Sequence, residues 1–171
     1  MNMYFFSTLL MTFFSYSFIQ SNELCEQNTT TSSDEVKYTS QKSIDVDDIS
    51  GHVIRVFKTE TNHKNSNKNC EGLTLIKTDF FGISDYINKN GRVTGYSVAT
   101  YSDGSKIFST LTGNAETPKN QAKNGYVVST IKITGGTNSY KGVYGFGKSK
   151  IEFNPETGYS SGSTDLYYGI R

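Results

Sequence analysis

Three stretches of this chain match patterns that perform chemistry in other settings, and each depends on the backbone that would carry it. Gly142-Val143-Tyr144-Gly145-Phe146-Gly147-Lys148-Ser149 fits G-x-x-x-x-G-K-[ST], the loop whose amides and lysine cradle nucleotide phosphates. That chemistry needs a helix directly after the loop, because the helix N-terminus faces the phosphates. Here Lys150-Ile151-Glu152-Phe153 alternates polar and apolar, and Pro155 follows, so a glycine-rich strand is expected instead. Gly158-Tyr159-Ser160-Ser161-Gly162 fits the G-x-S-x-G nucleophile elbow, whose histidine follows the serine in the chain. Both histidines, His52 and His63, precede it, and the stretch is read as a turn. Asp45-Val46-Asp47-Asp48 suggests calcium, but Ile49 and Ser50 stand where an EF-hand loop needs Asp or Asn and then Gly. It reads as a solvated acidic stretch. Cys25, Cys70 and the two histidines lack metal-site spacing, so no metal is expected.

Composition narrows the function classes. The chain has 171 residues, enough for one domain once a targeting segment is removed. Charged residues make up 19%, aromatics 13% without any Trp, and Gly outnumbers Pro 16 to 2, which suits an all-β chain. With 17 Lys and Arg against 16 Asp and Glu the net charge is +1, so no basic field exists for a nucleic-acid partner. Residues 1–22 carry no charge, and Phe5 to Ile19 is an apolar run interrupted by Ser, Thr and Tyr. It is too short and polar for a comfortable membrane span, and is read as a secretory signal that leaves no stable span after processing. The alternatives are an uncleaved anchor and a buried strand. The expected location is secreted or periplasmic. There Cys25 and Cys70 could form a disulfide, with two free thiols as the alternative.

The elements follow from punctuation and alternation. Residues 23–50 hold few apolar side chains and read as a flexible polar lead-in, with the folded domain spanning 51–171. Within it, short β-type runs are expected at His52–Thr61, Gly72–Gly82, Arg92–Tyr101, Ser105–Thr112, Tyr126–Thr134, Val143–Phe153 and Ser163–Ile170. Ser102-Asp103-Gly104-Ser105 reads as a tight hairpin in which Asp and Gly both supply positive φ. No stretch keeps a helical period. The expected fold is a closed antiparallel barrel of about eight strands, with Gly145 and Gly147 bending one strand. A β-sandwich is the alternative.

Tyr101-Ser102-Asp103-Gly104-Ser105-Lys106-Ile107-Phe108, then Ile133-Thr134-Gly135-Gly136-Thr137-Asn138-Ser139-Tyr140-Lys141-Gly142, then Gly145-Phe146-Gly147 together carry a further signal. They resemble the D-G-S strand entry, the G-G-T-G-x-F/Y turn and the glycine-bearing strand of the allene oxide cyclase and dirigent-type β-barrel superfamily. Gly51-His52-Val53-Ile54 and Gly95-Tyr96-Ser97 resemble its bacterial members, so the likeness spans about 51–171. The resemblance implies a barrel with an elongated apolar cavity, no cofactor, a lipid-like or phenolic cargo, and a homo-oligomer, trimer or dimer. Strand alternation then selects the wall. Arg55 shares a face with Val53 and Phe57 and could meet a carboxylate or point to solvent, while Tyr96, Phe108 and Tyr126 could line the cavity or be ordinary packing aromatics. Glu60 is the acid placed for proton work if the mouth is an active site, and otherwise a solvated strand-end charge. The leading expectation is an exported barrel that binds a small hydrophobic molecule. Beside it stand a cofactor-free isomerase or cyclase of the allene oxide cyclase type, a dirigent-like orienter of phenolic radicals, and a structural role.

Overall fold

In the computed structural model, residues 23–118, 124–154 and 158–171 are described; the expected signal segment 1–22 and Pro155 lie outside them. Nine strands run in chain order: β1 (Cys25–Ser32), β2 (Val36–Asp45), β3 (His52–Asn62), β4 (Leu75–Ile87), β5 (Asn90–Tyr101), β6 (Lys106–Glu116), β7 (Gly125–Gly136), β8 (Val143–Asn154) and β9 (Gly158–Ile170). Among the described residues two short 3-10 turns, Ser33–Glu35 and Asn138–Tyr140, interrupt them. All nine belong to one antiparallel sheet in the order β1-β9-β8-β7-β6-β5-β4-β3-β2. The seven expected runs reappear as β3 to β9, and a single sheet leaves no second layer for a sandwich.

The expected ring of about eight strands is corrected in number and in closure. The extra strands are β1 and β2, which occupy the stretch read as a flexible lead-in: β1 pairs along its whole length with β9, and β2 with β3. The sequence hides them because β1 turns Gln27, Thr29 and Thr31 inward, side chains no more apolar than their outward neighbours. β2 is almost wholly exposed, and its Lys37 and Lys42 suit an edge strand that must not recruit another chain. No ladder joins β1 to β2, so the sheet is not closed by hydrogen bonds. The reason is covalent. The two edges are successive pieces of one chain path, parallel in direction, and the turn between them cannot also pair them side by side. Glu35 in that turn accepts the Ser32 amide at 2.9 Å and the Lys64 amide at 2.8 Å, fixing the corner against the chain leaving β3. Those backbone donors hold its carboxyl below the ordinary range.

One end of the curled sheet is filled. Tyr101, Tyr140 and Tyr168 are fully buried there with Leu75, Ile107, Ile133 and Val143. Their rings pack at 4.5 Å (Tyr101 to Tyr140) and, edge to face, at 6.0 Å (Tyr140 to Tyr168). Each phenol finds a partner, as a buried hydroxyl must. Tyr101 donates to Gln27 Oε1 at 2.8 Å, Tyr140 accepts from Asn69 Nδ2 at 2.5 Å, and Tyr168 donates to the Glu71 carboxylate. Two of those partners lie in the segment between β3 and β4, which the Cys25–Cys70 disulfide ties to the start of β1.

Local chemistry accounts for the turns. At the β5–β6 hairpin only Gly104 has positive φ, at 83°. Asp103, expected to share that conformation, instead accepts the Ser105 amide at 2.8 Å and the Ser105 and Ser139 hydroxyls at 2.6 and 2.7 Å. The Gly142–Ser149 stretch runs into β8, paired with β7 and β9, so no helix faces it. Gly145 has φ of 154°, and a Cβ there would run into the Tyr167 carbonyl oxygen. The Gly158–Gly162 stretch, read as a turn, opens β9 as strand.

The disulfide links residues 45 apart, and the chain-entropy relation gives a loop of that length about 4 kcal/mol. Urea unfolding of Cys25→Ser/Cys70→Ser is expected to lose most of that figure, with the segment carrying Asn69 and Glu71 becoming protease-sensitive first. Equal stability of the two proteins would contradict this account of the filled end.

Candidate functional site

The pleat sends alternate side chains inward, and their shapes decide whether the interior is filled or hollow. Here it is hollow over part of its length: a cavity of about 390 Å³ is lined by residues from all nine strands. Large inward residues face very small ones. A Cβ at Gly82 would strike the rings of Phe57 and Phe80, and one at Gly95 would strike Phe80. The two glycines therefore make room for both rings, whose centroids lie 5.8 Å apart. Short hydroxyl side chains and aliphatic ones such as Leu111, Val127, Ile131 and Ile151 line the rest.

The cavity has two unlike ends. Antiparallel order puts the 63–74, 102–105 and 137–142 connections at the filled end, and the 46–51 and 88–89 connections at the other. Arg55, Tyr86 and Lys89 line the latter, the mouth. The Arg55 guanidinium lies 4.5 Å from the centre of the Phe57 ring and 5.4 Å from that of Tyr38, held by cation–π contact. No carboxylate among the described residues pairs with it, and no Asp or Glu is among the described lining residues. Burial pushes the Tyr86 phenol up to about 12, so it remains a neutral donor. Deeper in, His63 Nε2 lies 2.9 Å from Thr78 Oγ1, while its buried Nδ1 has no partner among the described residues. Desolvation lowers its pKa, which keeps the ring neutral.

Of the expected site residues, Arg55 and Phe57 line this cavity, and the other four do not. Tyr96 is 41% exposed on the outer face, its hydroxyl 3.4 Å from Thr134 Oγ1. The inward residues on that strand are Val93, Ser97, Ala99 and Tyr101, so the aromatic sits one position out of register for the wall. Phe108 faces outward between inward Ile107 and Ser109, and Tyr126 does so beside Val127, with Lys150 Nζ 4.6 Å from its ring centre. Glu60 also lies off the wall, paired with Lys77 at 2.6 Å. The hydrogen bond to Lys77 depresses its pKa, the opposite of what an acid catalyst requires. Sequence reasoning missed Tyr38, Phe80, Tyr86, Phe153 and Tyr159. For Phe80 a signal existed: with Phe57 inward, cross-strand pairing makes its inward neighbours on β3 and β4 predictable.

Loop 46–51 is fastened at the mouth. His52 Nδ1 lies 2.6 Å from Asp48 and Nε2 2.8 Å from Asp85, and the Asn88 amide donates to Gly51 O at 2.9 Å. Among the described residues no group of three or more His, Cys, Asp or Glu is placed to hold a metal ion.

No protein-family model and no curated protein matches the chain. A solved structure of a pterocarpan synthase dirigent protein is similar over 98% of this chain and 99% of that one, at 10% identity and a TM-score of 0.47. A likeness of that degree assigns neither family nor activity.

Hydrogen bonds to Asp48 and then Asp85 raise the pKa of His52 above its ordinary 6.5. A raised folded-state value means the imidazolium favours the folded protein. Its contribution is complete below the unfolded-state value and disappears as pH rises through the folded one. The difference in Tm between wild type and His52→Gln should therefore be larger at about pH 5.5 than at about pH 8.5. A difference that does not change with pH would dismiss His52 as a charged clasp.

Proposed function

We propose that the protein is an exported binder of a small hydrophobic molecule, lipid-like or phenolic. The observation that carries this reading is the cavity itself: about 390 Å³, bounded by aromatic and aliphatic side chains, stoppered at one end and bordered by Arg55 at the other. Small-molecule sites are typically about 300–1,000 Å³, mainly apolar, with a few polar groups that set orientation. Export is supported by the Cys25–Cys70 disulfide, which suits an oxidising compartment. Holding is favoured over conversion because the acid considered for cyclase or isomerase chemistry, Glu60, is salt-bridged away from the wall. Orienting phenolic radicals would be a special case of holding, and differs only in cargo.

The reading is tested with two fluorescent probes of similar shape, neutral N-phenyl-naphthylamine and anionic anilinonaphthalene sulfonate. Wild-type protein should enhance both. Leu111→Trp, which fills the cavity, should abolish enhancement without changing the β-type circular dichroism. Arg55→Gln should weaken the anionic probe about tenfold and spare the neutral one, as expected for one charge-assisted contact. No enhancement by folded wild-type protein would overturn the reading.

A further inference from the structure

Two buried hydroxyls in the cavity wall have no partner among the described residues. Ser129 on β7 and Ser149 on β8 are directly paired across the ladder, are 3% and 6% exposed, and both line the cavity. Neither Oγ has a hydrogen-bond partner among the described residues. The contrast with Ser97 and Ser109 is instructive: that cross-strand pair also lines the cavity, but its hydroxyls satisfy each other at 2.6 Å.

The unpartnered pair sits within a longer row. Read across the ladders, Gly113 on β6 faces Ser129, Ser129 faces Ser149, Ser149 faces Thr164 on β9, and Thr164 faces Thr29 on β1. A Cβ on Gly113 would collide with Ser129 Oγ, so glycine there preserves the space that the hydroxyl occupies. To one side of the serine pair lie Val127 and Ile151, also cross-strand partners, and to the other lies Ile131. The pair is thus the unpartnered part of a hydroxyl row that has aliphatic side chains above and below it, and there an unmade hydrogen bond is costly and a ligand atom that makes it is correspondingly favoured.

We propose that Ser129 and Ser149 form a two-hydroxyl subsite that takes the carbonyl oxygen of an uncharged group on an otherwise apolar ligand. The inference rests on the binding reading and names the chemistry of the cargo. A carbonyl oxygen has two lone pairs and can accept from both hydroxyls, whose residues stand side by side on adjacent strands. An ionised group is disfavoured at this point, because the row offers only neutral hydroxyls with aliphatic side chains flanking them, and an unpaired charge in such surroundings is poorly solvated.

The test compares acetylnaphthalene with ethylnaphthalene, probes that differ by one carbonyl oxygen, by calorimetry on the full chain. The acetyl probe should bind wild-type protein about tenfold more tightly, the combined net gain of the two hydrogen bonds to its carbonyl oxygen. Its carbonyl infrared band should shift to lower frequency on binding. Ser129→Ala and Ser149→Ala should each remove part of the preference and of the band shift while leaving the ethyl probe unweakened. Because each substitution deletes an unsatisfied hydroxyl, neither variant should melt below wild type. Equal binding of the two probes by wild type, with an unshifted band, overturns the subsite and leaves the binding reading standing. A preference that survives both substitutions also overturns it, including the case of serines occupied only by water. Failure of both probes to bind overturns subsite and binding reading together.

Discussion

Everything in this molecule depends on the ladder register, since side-chain period two means that pairing decides which half of each strand is inside. Along β3 the inward set is Arg55, Phe57, Thr59 and Thr61, and on β5 it is Val93, Ser97, Ala99 and Tyr101. A slip of one residue on β5 would bring Tyr96 and Val98 into the interior and send fully buried Tyr101 out into solvent. That asymmetry makes the register unambiguous. The tyrosine cluster can be built in one alignment only, and once built it stoppers one end of the curled sheet.

The hollow follows from side-chain size. Phe57 and Phe80 are large but lie over Gly82 and Gly95, so their rings occupy space the glycines vacate instead of projecting further in. Around them the wall is made from Ser, Thr, Ala and Val as much as from Leu and Ile, and short side chains cannot meet across the interior. The charged end arises in the same way: Arg55 is inward by register, has no carboxylate paired with it among the described residues, and lies against Phe57 and Tyr38. Open hydrogen bonding between β1 and β2 does not empty the core, because the chain itself crosses from one edge to the other through the Glu35 corner.

Much of the strand layout was legible along the chain. From β3 onward the runs of Val, Ile, Thr and aromatic residues, broken by Gly, Asn and Asp, reappear as strands with ends shifted by a few residues. The rejection of the phosphate-binding match was also legible, since alternation after Lys148 is incompatible with a helix. Illegible were β1 and β2. Cys25-Glu26-Gln27-Asn28-Thr29-Thr30-Thr31-Ser32 offers no hydrophobic contrast between its two faces, and such a strand is specified by the partner it meets, β9, more than by its own pattern.

The candidate site divides along the same line. Composition and local pattern were sufficient for an all-β chain of antiparallel hairpins, because turn chemistry and alternation act over a few neighbouring residues. They could not say which face of β5, β6 or β7 is inward. Alternation alone leaves Tyr96, Phe108 and Tyr126 as either wall residues or ordinary packing aromatics, and the ladder turns Ser97, Ser109 and Ser129 to the wall instead. That choice belongs to tertiary structure, since it is made by burying Tyr101, Ile107 and Ile133 against Tyr140 and Tyr168, residues far away in the chain. The cavity, its cationic mouth and its unsatisfied serines exist only once those distant partners have set the register.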